Sequence, residues 1–124
     1  MEDERKFKRL PIELSARYLK ENEKEWKGCT IINISREGMG IEVYVRERIP
    51  ENSTLQLDID VPEKDNSIKV KGILRWIKEL QEEMDFVGGI EFSEIDAEDK
   101  WTLLSCAYDV WPEKERGYHH SPKP

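Results

Sequence analysis

Apolar and polar residues alternate from Leu10 onward: Leu10, Ile12, Leu14, Ala16 and Tyr18 interleave with Pro11, Glu13, Ser15 and Arg17. A period of two marks a half-buried strand, and Pro11 is tolerated at its start. A polar turn over 20–25 leads to a second strand at 26–34. A tight turn at 35–38 leads to a third at 39–45. After punctuation at 50–53, Leu55, Leu57, Ile59 and Val61 alternate with Gln56, Asp58 and Asp60 in a fourth strand, with both aspartates pointing to solvent. A turn at 62–66 precedes a fifth strand, which places Ile68, Val70, Gly72, Leu74 and Trp76 on one inward face. The chain reverses at 79–83, and Met84, Phe86, Gly88, Ile90 and Phe92 share the inward face of a sixth. Six short strands at this spacing predict a mainly β fold, an antiparallel barrel whose closure hides the sheet edges.

After Phe92 the period lengthens. Asp96 is placed to cap a helix, with Glu98 and Asp99 in its first turn, where the helix dipole favours anions. Trp101, Leu104, Tyr108 and Trp111 recur at helical spacing, widened by Leu103, Ala107 and Val110. This stripe is expected to cover the barrel, an oligomer contact being the alternative. Pro112 ends the helix. Three segments result: a flexible arm at 1–9, a barrel plus C-terminal α-helix at 10–111, and a disordered tail at 112–124.

Composition narrows the function. Acidic residues outnumber basic ones 27 to 20, for a net charge of −7. Such a surface repels phosphate backbones, so a general nucleic-acid-coating role is not expected. No apolar run approaches the roughly 18–20 residues that span a bilayer. The N-terminus, Met1-Glu2-Asp3-Glu4, is acidic where a signal peptide is basic and then apolar. A soluble cytoplasmic protein, monomeric or weakly dimeric, is expected. Cys29 and Cys106 make no metal or redox motif and read as buried thiols.

Catalytic chemistry finds no residues. The only histidines, His119 and His120, are adjacent in the tail, so no Ser–His or Cys–His pair and no zinc site can be assembled. No Gly-rich loop opens a helix. The chain does not read as an enzyme, and it needs no cofactor or metal.

Two segments remain. Arg5, Lys6, Lys8 and Arg9 form a positive island on an acidic protein. Further on, Asn33-Ile34-Ser35-Arg36-Glu37-Gly38 joins strands two and three, a turn in which Asn and Ser bond their own backbone and Gly38 supplies positive φ. Arg5-Lys6-Phe7-Lys8-Arg9, followed by this Asn-x-Ser-x-x-Gly segment and later by Gly89-Ile90-Glu91-Phe92, resembles the PilZ domain over about residues 4–110. The resemblance implies a six-stranded barrel that binds cyclic di-GMP through Arg5, Arg9, Asn33, Ser35 and Gly38, and that acts on an unidentified downstream protein.

The residue types suit that ligand, which offers guanine edges, purine faces and two phosphates. Guanidinium forks grip guanine O6 and N7 or a phosphate, Asn33 accepts from guanine N–H groups, and the Ser35 hydroxyl adds a bond. Trp76 is either barrel core or, as the resemblance implies, a stacking aromatic at the strand's end. Anionic Glu4, just before Arg5, favours one bound ligand over a stacked pair. Two rivals stand beside this reading: a PilZ-like adaptor that works without ligand, and a barrel that stacks single-stranded nucleic acid on Trp26 and Trp76.

Overall fold

The computed structural model describes residues 9–43, 49–62, 65–79 and 85–110, with helix side chains described through Ala107. Six antiparallel strands form a closed barrel: β1 (Leu10–Lys20), β2 (Lys27–Ile34), β3 (Gly38–Val43), β4 (Thr54–Ile59), β5 (Ile68–Glu79) and β6 (Phe86–Glu94). Their order around the barrel is β1-β2-β3-β6-β5-β4, and β4 pairs back onto β1. Among the described residues every strand has a partner on both sides over part of its length, as the six-strand pattern predicts. One helix, α1 (Ala97–Val110), follows β6 directly. The positions 44–45, 80–84 and 111–124 of the expected elements lie outside the described residues, as do arm residues 1–8 and the paired histidines.

The interior is built from the alternate residues the period-two pattern selects. Ile31, Ile34, Met39, Ile41, Leu74 and Ile90 are all fully buried there. Each such side chain contributes about 1.5–3 kcal/mol by leaving water. Asn22, between β1 and β2, and Asn52, in the turn before β4, take the left-handed conformation at φ 71° and 70°. Asparagine tolerates that region better than most residues.

Four expectations need correction. Trp76 is not on the inward face: it is 43% exposed and points outward. The register between β5 and β6 shifts between Leu74 and Trp76, and the extra residue, Arg75, resets the alternation so that Ile77 turns inward instead. Gly38 does not have positive φ, nor does any described glycine. It is required by proximity, because a Cβ there would overlap the Ile90 carbonyl oxygen of β6. The helix buries only one edge of the expected stripe, with Leu104 partly covered beside it. Leu103 and Ala107, one turn apart, are fully buried towards β1 and β2, while Trp101 is 65% exposed. A stripe drawn through every apolar residue was too wide for the barrel to cover.

The fourth correction concerns Asp58, which is only 8% exposed rather than solvated. Its carboxylate accepts from Ser67 Oγ, from Arg17 Nη2 at 2.7 Å and from Lys69 Nζ at 3.2 Å, tying β1, β4 and β5 together. The Ser67 hydroxyl and the two cations hold its pKa down at about 2, against a burial that would raise it. The folded state therefore favours the ionised form. This contribution is complete above about pH 4 and is lost as pH falls towards 2. The shift corresponds to about 2 kcal/mol, reduced to about 1–2 because Arg17 and Lys69 are largely exposed. Urea melts of the wild type and Asp58→Asn are expected to differ by this amount at pH 7 and to converge only as pH falls below about 2. A gap that stays constant with pH would disprove the coupling.

Candidate functional site

Four residues line up across four strands on the outer face of the barrel. In register, Asn33 of β2 faces Gly40 of β3, Gly40 faces Gly89 of β6, and Gly89 faces Trp76 of β5. The two central residues have no side chains, so they form a floor. A Cβ on Gly40 would overlap the Asn33 side chain, and one on Gly89 would overlap the Trp76 indole nitrogen. The flanking side chains thus lean inward over the glycines from both sides. Two bulges make this arrangement. Register shifts between Ile31 and Asn33 and between Leu74 and Trp76 bring both polar-tipped residues to the outside, while Ile34 and Ile77 stay in the core.

Arg9 stands beside the row, one residue before β1. Its Nη1 donates to Asn33 Oδ1 at 2.7 Å, and the guanidinium lines a hollow of about 280 Å³ together with Gly38, Trp76 and Gly89. That volume lies at the low end of ligand sites, so the hollow is a shelf open to solvent. Its rim also carries Arg75, Glu37 and Glu91. Arg75 Nε donates to Glu91 Oε1 at 2.7 Å.

The turn between β2 and β3 closes on Ser35. This residue is buried, and its Oγ accepts from the N–H groups of Glu37 (3.1 Å) and Gly38 (3.3 Å), while its own N–H donates to the Gly38 carbonyl at 2.8 Å. The Asn-x-Ser-x-x-Gly pattern is legible here as mechanics. Ser35 ties the turn, Gly38 lets β3 lie against β6, and Asn33 is left facing out. The structure therefore brings Arg9, Asn33, Gly38 and Trp76 to one shelf and places Ser35 in the turn beside it, while Arg5 and Glu4 lie outside the described residues. Sequence reasoning missed Gly40 and Arg75, and it used Gly89 and Glu91 only as part of the Gly89-Ile90-Glu91-Phe92 motif, with no place in the site. The Gly88-Gly89 doublet inside a strand was the available signal, since glycine there weakens a strand unless something must approach closely.

A larger groove, about 850 Å³, lies elsewhere, between Trp26, the outer faces of β4 and β5, and the segment entering α1. Its two lysines are already paired, Lys69 with Asp58 and Lys71 with Glu94, Asp96 caps the helix, and the groove contains none of the expected site residues. Trp26 faces this groove, with the Arg17 guanidinium 5.0 Å from its ring centre, so it lines a different hollow from Trp76. Cys29 is buried, which pushes its thiol up to about 12 and leaves it unreactive at neutral pH. Among the described residues, no group of three His, Cys, Asp or Glu side chains is placed to hold a metal, and no helix is long and apolar enough to cross a membrane.

The PilZ domain family model matches residues 3–109. No curated protein sequence matches the chain. Among solved structures, the Bacillus subtilis inhibitor of motility superposes with a TM-score of 0.72 at 21% identity, covering 96% of this chain and 55% of that one. The PilZ domain of YcgR from Escherichia coli, solved with c-di-GMP, gives 0.67 at 13% identity, covering 91% and 94%. The Klebsiella protein MrkH, in complex with c-di-GMP, gives 0.69 at 13% identity, covering 94% and 55%. This chain thus spans about half the length of the first and last of these. At such identities the likeness carries the fold.

Proposed function

The chain belongs to the PilZ domain family, and on that premise we propose that it is a non-enzymatic receptor for cyclic di-GMP. The observation that carries this reading is the shelf: a guanidinium locked to Asn33 on one side, an exposed indole on the other, and a glycine floor between them. Trp76 offers a stacking surface, and Arg9 offers paired donors to guanine O6 and N7 or to a phosphate. The bond from Arg9 leaves Asn33 its amide hydrogens and a second lone pair for the base. Ser35 and Gly38 enter through the turn that holds Asn33 and the β3–β6 contact in place. Two of the solved relatives were seen with this ligand, which supports the same assignment here.

Arg5 and the arm at 1–9 complete the proposal. Arg9 anchors the chain at the rim of the shelf, and Arg5 lies four residues before it, within about 14 Å along an extended chain. That reach covers a dinucleotide resting on the shelf. The arm then orders over the ligand, and the combined surface of arm and ligand engages a downstream protein, the ordering reducing net affinity.

Calorimetric titration with cyclic di-GMP tests the reading. Arg9→Ala is expected to weaken binding by at least roughly tenfold, because a charge-assisted hydrogen bond contributes about 1.5–3 kcal/mol. The free protein should remain folded, its melting temperature lowered only by the few degrees that loss of the Arg9–Asn33 bond costs. Unchanged affinity in this variant, or no binding by the wild type, would refute the proposal. The fitted stoichiometry also tests the expectation of one ligand per chain that rests on Glu4.

A further inference from the structure

We infer that Arg75 is an additional guanidinium of this ligand site, held in reserve by Glu91, and that Glu91 competes with the ligand for it; the inference rests on the cyclic di-GMP reading above. Arg75 is the extra residue of the β5 bulge, set beside Trp76 by the same irregularity that exposes the indole. Its Nε donates to Glu91 Oε1 at 2.7 Å and its Nη1 to Asn52 Oδ1 at 3.2 Å. Glu91 lies two residues beyond Gly89 on the outward face of β6, so it edges the glycine floor.

The charges on the shelf make the case. Arg9 and Arg75 face Glu37 and Glu91 around one hollow, so the described lining is balanced as it stands. A ligand with two phosphates entering a balanced site gains little from long-range attraction. It gains when one arginine turns from its carboxylate to a phosphate. Arg75 is suited to that exchange: its side chain and that of Glu91 are about half exposed, at 48% and 53%, so their ion pair is held weakly. A planar fork with five donors can also bind a phosphate while keeping the Asn52 contact. Asn52, in a left-handed backbone conformation, accepts from Arg75 at the rim. Glu91 then sets a threshold, because the ligand must displace it and remain near its charge.

The two partners of this ion pair should therefore act in opposite directions. In titrations with cyclic di-GMP, Arg75→Ala is expected to bind about fivefold or more weakly. Glu91→Gln is expected to bind about threefold or more tightly, having lost the competitor while keeping the shape. Both variants should melt close to the wild type, since an exposed ion pair contributes little to folding. A staple that merely joined β5 to β6 would make both variants change binding in the same direction or not at all, and either result overturns the inference. If the wild type binds and Arg9→Ala weakens it while Glu91→Gln brings no gain, this inference fails and the receptor reading stands. If the wild type does not bind, both fall.

Discussion

Gly38→Ala is expected to destabilise the fold by at least roughly 3 kcal/mol, with a fall in melting temperature on the order of 10–20 °C. The atoms a Cβ would meet all belong to the backbone of β6, at Ile90 and Glu91. No rotamer change relieves such an overlap. β3 and β6 must separate locally, and the register from Gly38–Glu91 to Val43–Phe86 loses bonds at one end. The Ser35 turn would be strained too, because Gly38 supplies both an N–H and a carbonyl to it. Thermal melts followed by circular dichroism measure the effect. A variant melting within about 3 °C of the wild type would show that the barrel absorbs the methyl, against this account.

The same substitution at Gly89 is expected to have the opposite profile, a folded barrel that binds cyclic di-GMP about ten- to a hundredfold more weakly. Here the three nearest atoms to an added Cβ are all in the Trp76 indole. A side chain can move where a strand cannot, so the ring swings off the floor and the ladder stays closed. What is lost is stacking, worth about 1–3 kcal/mol per base, which is about one to two decades in affinity. Two readouts check this. The melting temperature should stay near that of the wild type, and the ligand-induced change in tryptophan emission should largely disappear. Full affinity in Gly89→Ala would show that the indole is not held in place for the ligand, and Trp76 would leave the site.

These two glycines mark what periodicity alone could reach. The strands were legible because a closed barrel has one inside, and each strand must turn every second residue towards it. Leu10 to Tyr18 and Leu55 to Ile59 follow that rule with little interruption. The Asp96 cap was legible for an equally local reason: its carboxylate reaches the N–H of Glu98, two residues along, at 3.2 Å. The residues of the turn were legible through the motif they form. Their roles were not, since Gly38 is a glycine because of β6, far away in sequence.

Several outcomes that depend on contacts between distant segments were not legible in the sequence. A single extra residue in β5 inverts the alternation beyond it, and nothing local announces it, so periodicity puts Trp76 on the inward face and leaves core and stacking aromatic both open. Asp58 read as solvated because alternation gives direction and not cover, whereas Arg17 and Ser67, brought in by β1 and the approach to β5, supply the cover. Trp101 read as buried because a helical stripe cannot say how wide a surface its partner offers. The sequence by itself thus determined the number and order of the strands, the capped helix and the chemical character of the arm and turn, all set by short-range periodicity and local hydrogen bonding. Only the tertiary structure decided that Asn33, Gly40, Gly89 and Trp76 form one row with Arg9 at its end, because that row exists only once four strands are paired in register and two bulges have turned its outer members outward.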